Sequence, residues 1–510
     1  MSQTVLRSVL SAAATALALA GAPAAAEGPE AYLSGEGPGG RSPLASWTFR
    51  MDSANRGLSL GWQRGAFSGA SVSVPNAIDA GHFKGAAGTR NYDGGVAWYR
   101  TSFSAPEAGA YALDFSSVNF QANVWIDGHA AASHKGPYLP FEARAPLSAG
   151  MHTLVVRVDW RDPERQSRLG FHRTWFNWGG LNGPVSVRVV GASELLQPTL
   201  RTTLEPEAAH AESARVRVGV AVRNDGPARA IAPEGTLTRA GQTITFGFPA
   251  RTLEAGQTAV LSTEVTVEHP ALWSPSDPAL YELTLTVAHE SSYSARVGLR
   301  ELSRHGGELL LNGHRLRLHG ASLQEDALGH GDALRPSDED KFVRELHAIG
   351  ANAVRSQHPL DPGLLERLDA AGILVWQGVG PVEGAGNWYS TTPALERGAE
   401  QQARTAVIAA ALHPSIFAWN LVDEVAGNGR DAAEVGYVQS LTRWLHANDP
   451  TQMVALDVWG DHPPAQAGSL YTGVDAVAET DYTGWYDSPQ SSASQQVAMM
   501  RARLGTMQRT

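Results

Sequence analysis

The run Ala351-Asn352-Ala353-Val354-Arg355-Ser356-Gln357-His358, continued through Asp361-Pro362 to Gly372-Ile373-Leu374-Val375-Trp376-Gln377-Gly378, decides the fold. Ala351 to Val354 is a short, nearly apolar segment of the kind that forms a buried strand. Asp361-Pro362 is a helix start, because the carboxylate can cap free amides and a proline in the first turn has no amide to lose. Leu364, Leu365 and Leu368 then recur at helical spacing, and Gly372 ends the helix. Ile373 to Trp376 is the next strand. A strand, a helix and a strand in so short a space make a βα unit with parallel strands.

The alternation extends both ways. Upstream, Leu316 to Leu318 is expected to be the first strand. Ser337 and Asp340 form an S-x-x-D cap, and Phe342, Leu346 and Ile349 follow at helical spacing up to Gly350. Downstream, a helix from Pro393 to Leu412 is stopped by His413-Pro414. Strands are expected at Ile416–Leu421, Met453–Leu456 and Val474–Ala478, with helices at Ala432–His446 and Ser492–Met507. Six strands result. A complete (β/α)8 TIM barrel takes ~250 residues, so residues 300–510 are expected to be an incomplete one of about six βα units.

Before residue 300 the period is two. Val124-Trp125-Ile126 and His129-Ala130-Ala131 flank Asp127-Gly128, a hairpin signal. Leu154, Val156 and Val158 alternate with polar residues, which places a β jelly-roll sandwich at 27–194. Val216, Val218, Val220 and Val222, and later Leu283, Leu285 and Val287, continue the pattern in a span of the size of an immunoglobulin-like β-sandwich, 195–299. Residues 1–26 read as a signal peptide: Arg7, an apolar stretch from Val9 to Ala20, and Ala24-Ala25-Ala26 before Glu27. The chain is therefore expected to be exported, to the periplasm or beyond the cell.

The 510 residues carry a net charge of -11, 43% hydrophobic residues and no cysteine. The charge argues against nucleic acid as a partner. No segment after the leader is long and apolar enough for a membrane helix. Without cysteine there is no thiolate metal site and no thiol nucleophile. Gly35 to Gly40 holds closely spaced glycines but opens no strand–helix unit, so it is not read as a nucleotide loop. His314 and His319 bracket a strand, as a metal pair or as solvated histidines. Trp175, Phe176 and Trp178 could stack on sugar rings or pack in the sandwich.

Catalytic groups of a βα barrel project from the carboxyl ends of the strands. Four such ends here are polar: Ser322 to Asp326, Arg355 to His358, Asp423-Glu424, and Asp481-Tyr482. Glu424 follows the apolar run Ile416 to Trp419 and is placed to act as a general acid; an ion pair with Arg355 or a capping role is the alternative.

His413-Pro414-Ser415-Ile416-Phe417-Ala418-Trp419-Asn420-Leu421-Val422-Asp423-Glu424 resembles the acid/base segment of glycoside hydrolase family 2, the β-galactosidase, β-glucuronidase and β-mannosidase group. Other matches run in family order along the chain. They are Trp98-Tyr99-Arg100, Val124 to Gly128, Gly136 to Phe141, Trp178-Gly179-Gly180-Leu181, Leu272-Trp273-Ser274-Pro275, Gly320 to Asp326, Gly350 to His358 and Gly484-Trp485-Tyr486. The resemblance implies retaining hydrolysis of terminal β-glycosidic bonds in carbohydrate metabolism. Glu424 is then the acid/base, and Asp423, Arg355, His358, Tyr482 and Trp485 are the substrate-binding residues. A carbohydrate substrate is the implied partner, with no cofactor and no metal.

Several departures accompany the resemblance. Asp423 stands where the family usually has an Asn that bonds the sugar 2-hydroxyl, Gln324 replaces a His, and Thr480 replaces an Asn. Gln377-Gly378 stands where many members carry Asp-Glu, which in the galactosidase branch helps hold magnesium. The nucleophilic Glu of the seventh strand is not present in the chain, which reads as truncated. Asp457, Glu479 and Asp481 are stand-ins of last resort. These departures keep open a second reading, a non-catalytic carbohydrate-binding protein or an inactive fragment lacking the nucleophile.

Overall fold

A computed structural model describes residues 34–78, 80, 94–161, 177–380, 393–424, 432–459 and 468–507. The leader and the expected contacts of Trp175 and Phe176 lie outside the described residues.

The first unit is built from two antiparallel sheets. One has six strands, centred on Val96–Ala105 and Gly150–Asp159; the other has four, centred on Val185–Val189 and Gly109–Phe115. Alternation explains their packing: Leu154, Val156 and Val158 all point into one shared core with Tyr99, Leu113 and Phe115. Asp127 and Gly128 both take positive φ, 50° and 80°, as a tight two-residue hairpin requires. The second unit packs a three-stranded sheet (Ser193–Glu205, Ser213–Asn224, Thr258–Glu268) on a four-stranded one. Its core takes the alternate residues Val216, Val218, Val220 and Val222 together with Leu283 and Leu285.

The third unit is a parallel sheet with helices between its strands, and its elements are numbered here. In chain order they are β1 (Gly320–Leu323), α1 (Pro336–Ala348), β2 (Ala353–Ser356), α2 (Pro362–Ala371), β3 (Leu374–Gly378) and α3 (Pro393–Ala409). Then come β4 (Ile416–Asn420), α4 (Ala432–Asn448), β5 (Met453–Trp459), β6 (Ala476–Thr480) and α5 (Ala493–Met507). The strands pair in sequence order β1 to β6, and every pairing is parallel.

Two boundaries and one cap differ from the reading of the sequence. Leu316 does not begin the sheet: its amide bonds the Leu309 carbonyl at 2.8 Å and so belongs to a preceding small hairpin. Asn352 then holds the His319 amide at 2.7 Å, and β1 starts at Gly320. The sixth strand runs two residues later than Val474–Ala478. At α1 the capping carboxylate is Asp338, which accepts the Arg335 amide at 3.0 Å, in place of the Ser337/Asp340 pair. His314 and His319 are both exposed.

Strand parity sorts the sheet's two faces. Val354, Val375, Val454 and Leu456 pack outward on the leucines of α2 and α4. Ala353, Leu374, Phe417, Met453 and Ala455 face inward, where Trp273 and Leu311 pack against them. Trp273 donates its indole N–H to the Asp369 carbonyl at 2.8 Å, and Arg300 bonds the Ile416 carbonyl. The amino ends of the strands are thereby plugged by the second unit and the hairpin. The carboxyl ends remain for a site.

Candidate active site

Arg355 lies on β2 and turns its guanidinium inward. Its Nε donates to Asp457 Oδ2 at 2.8 Å, and its Nη2 bonds both Asp457 and Asp423. Asn420 at the end of β4 adds an N–H to Asp457 Oδ2 at 2.9 Å. A relay of carboxamides reaches the same point: Gln324 donates to Gln357 at 2.5 Å, and Gln357 donates to Asp423 Oδ2 at 3.1 Å. Burial alone would make the Arg355 charge easier to lose, but Asp457, Asp423 and Glu424 hold it, and the net shift is upward.

Glu424 sits just past this cluster in the left-handed region, φ 53°, where a side chain other than glycine is uncommon and a backbone must be held. Its Oε1 accepts the Tyr482 hydroxyl from the loop after β6. Burial, and after it this bond to Glu424, push the Tyr482 hydroxyl up, so the tyrosine stays a donor. Among the described residues Oε2 of Glu424 has no hydrogen-bond partner. The loop that carries Tyr482 is tied down by Arg503 of α5, which bonds Asp481 at 2.6 Å and Asp487 at 3.0 Å. A cavity of about 440 Å³ opens on the inner face beside the cluster, lined in part by Leu318, Arg355, Trp376, Asp457 and Glu479.

Of the six residues expected in the site, Arg355, Asp423, Glu424 and Tyr482 converge. His358 does not join them as a sugar contact. It is 3% exposed, binds Glu325 at 2.9 Å through Nε2, and stacks on Tyr138 of the first unit with ring centroids 4.2 Å apart. The reason is local: β2 ends at Ser356, and past it Gln357 turns to Asp423 while His358 turns to Glu325 and Tyr138. Gln357 was missed in the sequence, and its two-residue spacing from Arg355 was the available signal. Asp423 is 2% exposed, with its oxygens engaged by protein groups rather than open to a sugar. Trp485 is neither core nor buried: it is 69% exposed and leans on Tyr486. Trp178 is buried with its indole N–H on Asp326, which settles it as packing. No group of three His, Cys, Asp or Glu among the described residues could hold a metal ion.

A parallel βα sheet plugged at one end, with an arginine–carboxylate cluster and a tyrosine-held glutamate at the other, is the architecture of TIM-barrel enzyme sites. The comparisons agree with that class. Residues 199–300 match the model of glycosyl hydrolases family 2, and residues 303–503 match that family's TIM barrel domain. Together the matches span more than half of the chain, which belongs to glycoside hydrolase family 2. It is 25% identical over 484 residues to a β-glucuronidase of Paenibacillus borealis, covering 87% of this chain and 76% of that protein. It is also 25% identical over 368 residues to a β-galactosidase of Bacteroides ovatus, covering 66% of this chain and 40% of the relative. Two further curated β-glucuronidase relatives are spanned to 46% and 55% of their length. Among solved structures, a β-glucuronidase of Bacteroides uniformis superposes with a TM-score of 0.76 at 23% identity, over 91% of this chain and 58% of that one. A β-galacturonidase of Eisenbergiella tayi bound to galacturonate gives 0.74 at 22% identity, over 91% and 78%.

Proposed function

We propose that Glu424 is the acid/base of a retaining hydrolysis of terminal β-glycosides whose nucleophilic carboxylate is not among the described residues. The observation that carries the reading is the Glu424–Tyr482 pair. One carboxyl oxygen is fixed by a tyrosine donor while the other is left to meet the glycosidic oxygen, protonate it, and later take a proton from water. Asp457 and Asp423 are committed to Arg355 and Asp481 to Arg503, so none of them is assigned the nucleophile's role. Trp485 and Tyr486, exposed next to Tyr482, supply flat surfaces on which a sugar or aryl leaving group can stack. On this reading the two sandwiches are the family's sugar-binding jelly roll and immunoglobulin-like domain, and the chain is exported. N-terminal sequencing of the protein recovered outside the cytoplasm should then start near Glu27; a start at Met1 would refute export by cleavage.

The test of Glu424 uses a panel of aryl β-glycosides of graded leaving-group ability. Glu424→Gln should lose about 10²- to 10⁴-fold in kcat/KM on poor leaving groups and much less on activated ones. Unchanged rates on poor leaving groups would remove Glu424 from the role. Sugar binding without turnover in the unmodified protein would favour a carbohydrate-binding protein instead.

A further inference from the structure

One cation faces three carboxylates at the head of the sheet. Arg355 is shared by Asp423 and Asp457, both almost wholly buried, and Glu424 follows directly. One nitrogen of Arg355, Nη2, bonds Asp423 Oδ1 and Asp457 Oδ2 at once, which brings the two carboxyl groups side by side. Ionised carboxylates only accept and repel each other, so one arginine does not balance two of them buried side by side, whereas one proton on the pair does. A second observation points the same way. Asp457 Oδ2 is crowded with donors from Arg355 and Asn420, whereas Asp457 Oδ1 is buried with no donor from any other described residue. A buried carboxylate oxygen without a donor is costly, and a proton held by the pair lowers the charge left on it.

We propose that Asp423 and Asp457 share a single proton, so that Asp423 stands beside Glu424 as a neutral carboxyl and Asp457 is the positioning residue that keeps both it and Arg355 in place. The remaining groups around the pair fit this state. Gln357, Gln324 and Asn420 are neutral. From β6 and its loop, Glu479 lines the adjoining cavity, Asp481 is neutralised by Arg503, and the Tyr482 hydroxyl points to Glu424. With the proton in place the cluster of Arg355, Asp423 and Asp457 has no net charge, and Glu424 is the one carboxyl of the group left without a cation. A protonated carboxyl also donates and accepts at one centre, as a carboxamide does, which accounts for an aspartate in the place where the resemblance implies an asparagine. Burial, only partly offset by Arg355 and reinforced by the charges of Asp457 and Glu424, raises Asp423 to about 8 and raises Asp457 in the same direction.

The protonation rests on the geometry and the consequence for Glu424 on the glycosidase reading, so the test reads the proton and not turnover. Infrared spectra of the full chain should show a protonated-carboxyl carbonyl band that disappears as the pH is raised from about 6 to about 10. That component should be missing from Asp423→Asn at every pH. It should also be missing at about pH 6 from Asp457→Asn, where Asp423 faces Arg355 alone and ionises. Thermal unfolding gives an independent reading. A carboxyl whose folded value is raised contributes stability below its unfolded value, near 4, and loses it as pH climbs to the folded one. The melting temperature of Asp423→Asn minus that of the unmodified protein should therefore grow from about pH 5 to about pH 8 and then level off. A protonated-carboxyl band identical in all three proteins, with no component lost in either variant, or a melting difference that stays flat over that range, would overturn the proposal. An inactive protein that still shows both signatures would overturn the proposed function and leave the shared proton standing.

Discussion

Two buried arginine–carboxylate clusters among the described residues are built on opposite principles. The first joins the first sandwich to the strand Ser193–Glu205 that opens the second. Arg188, with its side chain fully enclosed, bonds Glu142 at 2.5 Å and Glu194 at 2.6 Å, and lies 3.4 Å from Asp114. Arg144 reaches Glu142, Glu194 and Asp225; Arg223 pairs with Asp225 and Arg41 with Asp114. Four arginines meet four carboxylates. Around Arg355, one arginine meets three. Burial still raises Asp114 and Asp225, each to about 6, even in the balanced cluster, but Asp423 goes to about 8. Matched charge makes a joint. Unmatched charge holds a proton next to a carboxyl that can use one, and that difference separates a structural network from a candidate site where sequence composition cannot.

The comparison breaks most easily at Arg188. Removing one partner of a buried, fully paired network leaves charges with no solvent, and Arg188→Met should cost on the order of 3–5 kcal/mol in urea denaturation. Arg355→Met at about pH 6 should cost less, because Asp423 and Asp457 can take up another proton in place of the arginine. Its cost should rise by about pH 9, where that proton must be bought from a dilute supply. Equal losses for the two variants at both pH values would mean that the clusters do not differ in the way their charge counts indicate.

Much of this was legible in the chain. The two periods, two before residue 300 and helical after it, assigned the architecture because burial of one strand face and of both sheet faces leaves different patterns. The place of Glu424 at the carboxyl end of the sheet was legible because it follows the apolar run Ile416 to Trp419. His358 was expected beside the sugar with Arg355; β2 ends at Ser356, and past it the chain turns this ring onto Glu325 and Tyr138. Asp457 was legible only as an acid. Its bond to Arg355 joins residues more than a hundred apart, and no local pattern encodes that closure. Nor does sequence say that Leu316 pairs backward with Leu309, since an apolar run specifies burial but not which neighbour it is buried against.

The smallest effect tests the link between the two regions. Tyr138 takes a positive φ of 67° in the first unit and lays its ring on His358, whose Nε2 meets the buried Glu325; Glu325 in turn accepts the Asp361 amide at 2.6 Å at the start of α2. The sandwich thus presses on the outer side of β2 while Arg355 works on the inner side. Stacked aromatic pairs contribute roughly 0.5–1.5 kcal/mol beyond the area they bury, so Tyr138→Leu, which keeps most of the apolar contact, should lower stability by about 1 kcal/mol. If the ring also steadies β2, the same variant should loosen Arg355, and amide hydrogen exchange at Val354 to Ser356 should quicken while exchange at β5 does not. Faster exchange in both strands would mean a general loss of stability, and no change in either would confine the role of Tyr138 to its own loop.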